Sequence, residues 1–131
     1  MQWTALAFAA SLFMSGLAIK ESAPGAGPGA KAGQWVTVNY TGKLTSGKVF
    51  DSSLQPDREP FVFHLGAHQV IKGWDMGLLG MKVGAKRTLT IPPSMAYGSR
   101  NIGNGLIPPN STLIFDVEMV KISDTAPGGQ Q

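Results

Sequence analysis

His64 and His68 stand four residues apart, the spacing that places two metal ligands on one helical face. Gly66 lies between them at the end of an alternating stretch, so two ordinary polar positions is the stronger reading. Ser52 and Ser53 follow Asp51, but a serine nucleophile needs a histidine base and an orienting acid, and no Gly-x-Ser-x-Gly turn presents these serines. Asp51, Asp57 and Glu59 crowd one polar segment, which suits a solvated loop better than a glycosidase pair. Gly98, Gly103 and Gly105 match neither a phosphate-binding loop nor a dinucleotide fingerprint. With 0 cysteines, thiol nucleophiles, disulfide scaffolds and Cys-based metal centres are excluded.

What remains is a set of aromatic side chains: Tyr40, Phe50, Phe61, Phe63, Trp74, Tyr97 and Phe115. They could converge on one concavity. They could equally fill an ordinary core, and periodicity alone favours the core.

The elements that would position them follow from hydrophobic period. Leu17 to Glu21 suits a first strand, and Pro24 to Gly29 is a connector that neither helix nor sheet tolerates. Val36, Val38 and Tyr40 alternate with polar neighbours, as in a half-buried strand. Thr45-Ser46-Gly47 is a turn, Lys48 to Phe50 resumes extended structure, and Asp51 to Pro60 reads as a loop. Phe61, Phe63 and Leu65 share one face of a further strand. Over Val70 to Leu79 the period changes: Ile71, Trp74 and Leu78 fall on one helical face. Gly73 and Gly77 are poor helix formers, so packing must hold that helix. Lys86 to Ile91 is a strand ended by Pro92-Pro93, Ser94 to Pro109 is a long loop, and Thr112 to Ile122 is the last strand. Several strands and one short helix predict an α+β fold, a twisted antiparallel sheet curled as a half-barrel around the helix. A long loop in so small a domain suggests function.

Composition agrees with a single domain: 131 residues, 43% hydrophobic and 15% charged, enough to bury a core without cross-links. The net charge of +3 is mildly basic. Lys82, Lys86 and Arg87 form the tight basic group, with no interleaved aromatics, so a solvated basic face is expected and no nucleic-acid partner. Residues 1–16 form an apolar leader, with Lys20 the first charged side chain. Signal peptide, membrane anchor and packed helix are the candidate readings. Export to a periplasm or secretory pathway follows from the first, membrane attachment from the second, and a cytoplasmic protein is the alternative. The domain is expected over 17–123 and a flexible tail over 124–131. Asn110-Ser111-Thr112 fits a glycosylation sequon, a tripeptide common by chance.

Order along the chain favours the concavity. Tyr40-Thr41-Gly42, Gly47-x-x-Phe50-Asp51-Ser52-Ser53, Pro60-Phe61-x-Phe63 and Leu65-Gly66 occur in sequence. Val70-Ile71-x-Gly73-Trp74, Gly77, Met81-x-x-Gly84, Ile91-Pro92 and Ala96-Tyr97-Gly98 follow, then Ile107-Pro108-Pro109, Leu113-x-Phe115 and Val117-Glu118. This succession resembles the FKBP-type peptidyl-prolyl isomerases from about Leu17 to Ile122. No single block would be specific; their shared order is.

The resemblance implies a curved sheet around a short helix and a pocket for the substrate proline. Trp74 would be its floor, and Tyr40, Phe50, Phe61 and Phe115 its walls. Val70 and Ile71 would form the rim, with the Ile71 backbone N–H donating to a ligand carbonyl. Asp51 would be the wall carboxylate, orienting Tyr40 or Arg58, and Tyr97 and Ile107 would come from the long loop. Phe63 and Leu65 are assigned to core. Gln69 stands where an acid is frequent, at a position expected to act through its main-chain carbonyl. The loops from Phe50 to Phe61 and from Tyr97 to Pro108 are each one residue longer than in compact members, so no role is assigned to Arg58 or Ile102. The implied activity is cis/trans isomerisation of X-Pro bonds in other polypeptides, by a monomer, with no cofactor or metal. Tacrolimus and rapamycin are the implied macrolide inhibitors. A proline-binding module without turnover is the alternative on the same fold.

Overall fold

The computed structural model describes residues 11–14 and 16–126. Its strands are β1 (Ser11–Met14), β2 (Leu17–Ala23), β3 (Trp35–Leu44), β4 (Val49–Ser52), β5 (Phe61–His64), β6 (Lys86–Ile91) and β7 (Leu113–Ser123). They form one antiparallel sheet in the order β1-β2-β6-β7-β3-β4, with β5 also paired to β3. The expected α+β architecture is the observed one. A single α-helix, α1 (Lys72–Gly77), occurs among the described residues, and a 3-10 turn covers Pro93–Met95.

Alternation decides which face is inside. Val36, Val38 and Tyr40 of β3, Leu89 and Ile91 of β6, and Leu113, Phe115, Val117 and Met119 of β7 are all buried. Trp74 and Leu78 cover them from the helix side, and Phe63 and Leu65 complete the core as expected.

The helix is shorter than the periodicity of Val70 to Leu79 predicts. Ile71 is its extended N-cap, without a side-chain cap bond, and Leu78 its C-cap. Its glycines are there for room. A Cβ at Gly73 would lie 2.5 Å from Ile91 Cγ2, and one at Gly77 would lie 2.9 Å from both Leu89 δ-methyls. Close approach of α1 to β6 therefore offsets the low helix propensity of glycine.

Arg87 corrects the reading of a solvated basic face. Its Nη1 donates to the carbonyls of Gly77 (2.9 Å) and Leu79 (2.8 Å), and its Nε donates to Glu21 Oε2 at 2.9 Å. The guanidinium thus satisfies carbonyls at and beyond the helix C-terminus while paired across the sheet.

Other boundaries moved less. Asp51 and Ser52, expected in a loop, are strand residues opposite Gly42 and Thr41. Ser52 Oγ and Ser53 Oγ both donate to the Tyr40 carbonyl, and Ser53 Oγ accepts from Tyr40 N–H, which stitches the chain after Phe50 onto β3. Within the segment read as an apolar leader, Ser11–Met14 is a strand, not a helix, paired with β2 from Ser11↔Lys20 to Met14↔Leu17. Residues 1–10 lie outside the described residues, as does the tail beyond residue 126. The start of that tail is anchored, since Gln34 Nε2 donates to Asp124 Oδ1 at 2.9 Å.

Candidate active site

A cavity of about 300 Å³ opens where α1, the sheet and the long loop meet. It is lined by Tyr40, Phe50, Asp51, Phe61, Gln69, Val70, Ile71, Trp74, Tyr97 and Phe115. All the residues singled out from sequence are brought together here except Ile107. That residue is buried at 4% exposure, and it pairs with Ile102 in a small bridge at the base of the loop. It belongs to the hydrophobic core cluster and is not among the residues that line the cavity. Gln69 is the addition; its adjacency to Val70 is the signal that could have included its side chain.

The walls are aromatic and hold one another at near-right angles. The Trp74 ring lies 5.1 Å from Tyr40 at 79° and 5.2 Å from Phe115 at 88°. Phe50 meets Phe115 at 5.5 Å and 88°, and Phe61 meets Trp74 at 6.0 Å and 71°. Edge-to-face pairs of this kind are favourable beyond simple area burial. The arrangement needs Gly42: a Cβ there would lie 2.5 Å from Phe115 Cε1 and 2.8 Å from Phe50 Cζ. The indole nitrogen of Trp74 is buried and lacks a conventional hydrogen-bond partner among the described residues. The floor of the cavity is therefore the aromatic face of Trp74 rather than a polar group.

One polar network edges this apolar surface. Tyr40 OH donates to Asp51 Oδ2 at 2.6 Å, Arg58 Nη1 donates to Asp51 Oδ1 at 3.2 Å, and Arg58 Nη2 donates to Tyr40 OH at 3.3 Å. Burial, reinforced by the bond to Asp51, pushes the Tyr40 phenol up to about 12. Asp51 in turn raises Arg58 above its ordinary range. A carboxylate already accepting from a tyrosine and a guanidinium is an orienting group. Both of its oxygens are thereby engaged at the cavity wall.

The rim is tied down separately. The buried carboxylate of Asp75 accepts from the N–H groups of Gly66 (2.8 Å) and His68 (3.1 Å), the latter at a φ of 62°. Gln69 Oε1 accepts from His64 N–H at 3.0 Å. Val70 and Ile71 follow directly, and among the described residues the Ile71 N–H donates to no protein group. The two histidines are apart in role: the His64 ring stacks on Trp35 at 4.7 Å, and His68 is exposed.

A model of the FKBP-type peptidyl-prolyl cis-trans isomerase family matches residues 27–120 of this sequence. The chain belongs to that family. An FK506-binding protein of Neisseria meningitidis serogroup B is 52% identical over 109 residues, 83% of this chain and 98% of that protein. FK506-binding protein 4 of Mycosarcoma maydis is 56% identical over 108 residues, 82% of this chain. This FKBP-type chain matches only 28% of that longer relative. The crystal structure of AtFKBP13 superposes with a TM-score of 0.77 at 45% identity, covering 87% of this chain and 97% of the other. The sheet and helix described above are thus the FKBP fold.

Proposed function

We propose that this chain catalyses cis/trans isomerisation of X-Pro peptide bonds in other polypeptides, acting on a prolyl residue seated over Trp74. The observation that carries the reading is the cavity itself: four perpendicular or tilted aromatic rings around the indole of Trp74, edged by one pre-ordered Tyr40–Asp51–Arg58 network. Family membership and the identity of the relatives support it.

The physics of the reaction suits such equipment. Amide resonance opposes rotation with a barrier of roughly 18–20 kcal/mol. The twisted transition state has lost that resonance and is less polar than a planar amide. An apolar enclosure therefore binds it better than the ground state, and that difference is what catalysis requires. Lowering the barrier by about 5–8 kcal/mol corresponds to roughly four to six orders of magnitude in rate. The Ile71 N–H supplies a donor for a substrate carbonyl at the rim. The relatives' FK506-binding names and the cavity's lining support binding of tacrolimus, and rapamycin with it, in competition with peptide.

The test is isomerisation of a short X-Pro peptide with and without tacrolimus. Catalysis abolished by stoichiometric tacrolimus is the expected result. A well-folded chain that binds proline peptides without turnover would overturn the reading.

A further inference from the structure

Among the described residues, the strand that supplies Phe61 to the cavity has one edge without a partner strand. β5 pairs with β3 on one side only, in the register Trp35↔His64, Val36↔Phe63, Thr37↔Val62 and Val38↔Phe61. Leu65 N–H donates to the Gln34 carbonyl at 2.9 Å, which makes that pair a hydrogen-bonded one. By antiparallel alternation, Phe63 and Phe61 then bond β3, while His64 and Val62 direct their N–H and C=O to the opposite edge.

His64 is satisfied there by its own chain. Its N–H donates to Gln69 Oε1 at 3.0 Å and its carbonyl accepts from Ala67 N–H at 3.3 Å. Among the described residues, Val62 has no such partners. Its side chain is exposed, as is that of Phe61, at 39% and 38%. One N–H and one C=O of an exposed strand edge therefore stand open beside the wall of the cavity. Gln69, which lines that cavity, closes the edge on one side, and Phe61 bounds it on the other.

We propose that a polypeptide whose proline occupies the cavity lays an adjacent extended residue along β5 and exchanges a pair of main-chain hydrogen bonds with Val62. This inference rests on the isomerase reading of the same cavity and extends it to the flanking chain. Continuity with the cavity selects the occupant. Strand addition of this sort takes most of its affinity from backbone groups, with a modest preference for an apolar or β-branched residue beside the exposed Val62 side chain. A short peptide that only fills the cavity would not reach the edge. A longer one would.

The experiment compares kcat/KM for an X-Pro tetrapeptide with that for a peptide extended on both sides of the same X-Pro bond. Net hydrogen-bond strengths of about 0.5–1.5 kcal/mol for each of the two bonds put the advantage of the longer peptide at about 5- to 150-fold. Two perturbations should remove it. One is N-methylation at a single flanking position of the long peptide, found by scanning. The other is Val62→Pro, which deletes the outward N–H at an edge position where proline is tolerated. Equal kcat/KM for the two peptides, an N-methyl scan with no sensitive position, or a Val62→Pro enzyme retaining the advantage would each overturn the inference. So would self-association of the chain through this edge in sedimentation at the assay concentration. Failure of the isomerase reading is distinguishable, because neither peptide would then be turned over.

Discussion

Gly42→Ala should disable the cavity without touching a ligand. The alanine Cβ would lie 2.5 Å from Cε1 and 2.9 Å from Cδ1 of Phe115, and 2.8 Å from Cζ of Phe50. Carbon atoms at optimal separation sit roughly 3.5–4.0 Å apart, so the rings must retreat by about 1 Å. Both line the cavity, and they face each other at 5.5 Å. Phe115 cannot move without disturbing Trp74, whose ring it meets at 5.2 Å in a perpendicular contact. Overpacking of this kind costs about 1–3 kcal/mol of stability. A displacement near 1 Å in positioning groups lowers kcat/KM by roughly 10- to 100-fold.

The assay is kcat/KM on an X-Pro tetrapeptide together with the urea midpoint, with Gly77→Ala as the matched control. That control crowds the Leu89 δ-methyls at 2.9 Å, and Leu89 lies outside the cavity lining. It should change stability by a similar amount and leave activity near that of the parent. Should Gly42→Ala lose stability as expected yet keep full activity, ring placement is not what the rate depends on.

Arg87→Met should destabilise the fold by about 2–4 kcal/mol, because two carbonyls at and just beyond the end of α1 and the Glu21 carboxylate lose their partner together. Equilibrium urea unfolding reads this, and a change within about 0.5 kcal/mol would show those contacts to be incidental. Asp51→Val should lower kcat/KM by at least about tenfold by stranding Tyr40 OH and Arg58, while Asp51→Asn, which still offers Tyr40 an acceptor, should lose less. Equal losses would point to charge rather than geometry. The Tyr40 phenol, held up to about 12, keeps its proton longer in the folded chain than when unfolded, near 10. Its contribution to stability is therefore complete below pH 10 and fades as pH rises through 12. Alkaline titration of tyrosinate absorbance should show a late phase that Tyr40→Phe removes.

How much of this was legible depends on where the information resides. Strands with strict alternation, such as Val36-x-Val38-x-Tyr40 and Leu113-x-Phe115-x-Val117-x-Met119, were readable because one residue in two must face the core. Their aromatic members reached the cavity as expected. The limits of α1 were not readable from period alone, since its length is set by contact of Gly73 and Gly77 with β6 and by Arg87 on its last carbonyls. Arg87 and Glu21 are 66 residues apart, and only strand register brings them together. Ile107 was assigned to the cavity because it sits in a loop motif. Sequence order alone does not tell a residue that lines the cavity from one packed in the core beneath the loop.

A reaction that makes and breaks no bond leaves no group whose removal must abolish it. The rate instead depends on a shape, and the structure distributes the upkeep of that shape among residues that touch no substrate. Gly42 leaves room for two rings, Ser52 and Ser53 bind the chain carrying Asp51 to the Tyr40 backbone, and Asp75 holds the bend before the rim. The rings are also coupled, because Trp74 contacts Tyr40, Phe61 and Phe115 at once. Loss of one wall alters the support of the others, so truncations within the cage cannot be additive. On the isomerase proposal, such an enclosure would recognise a twisted prolyl amide by packing against every wall, and would ask little of the side chains on either side.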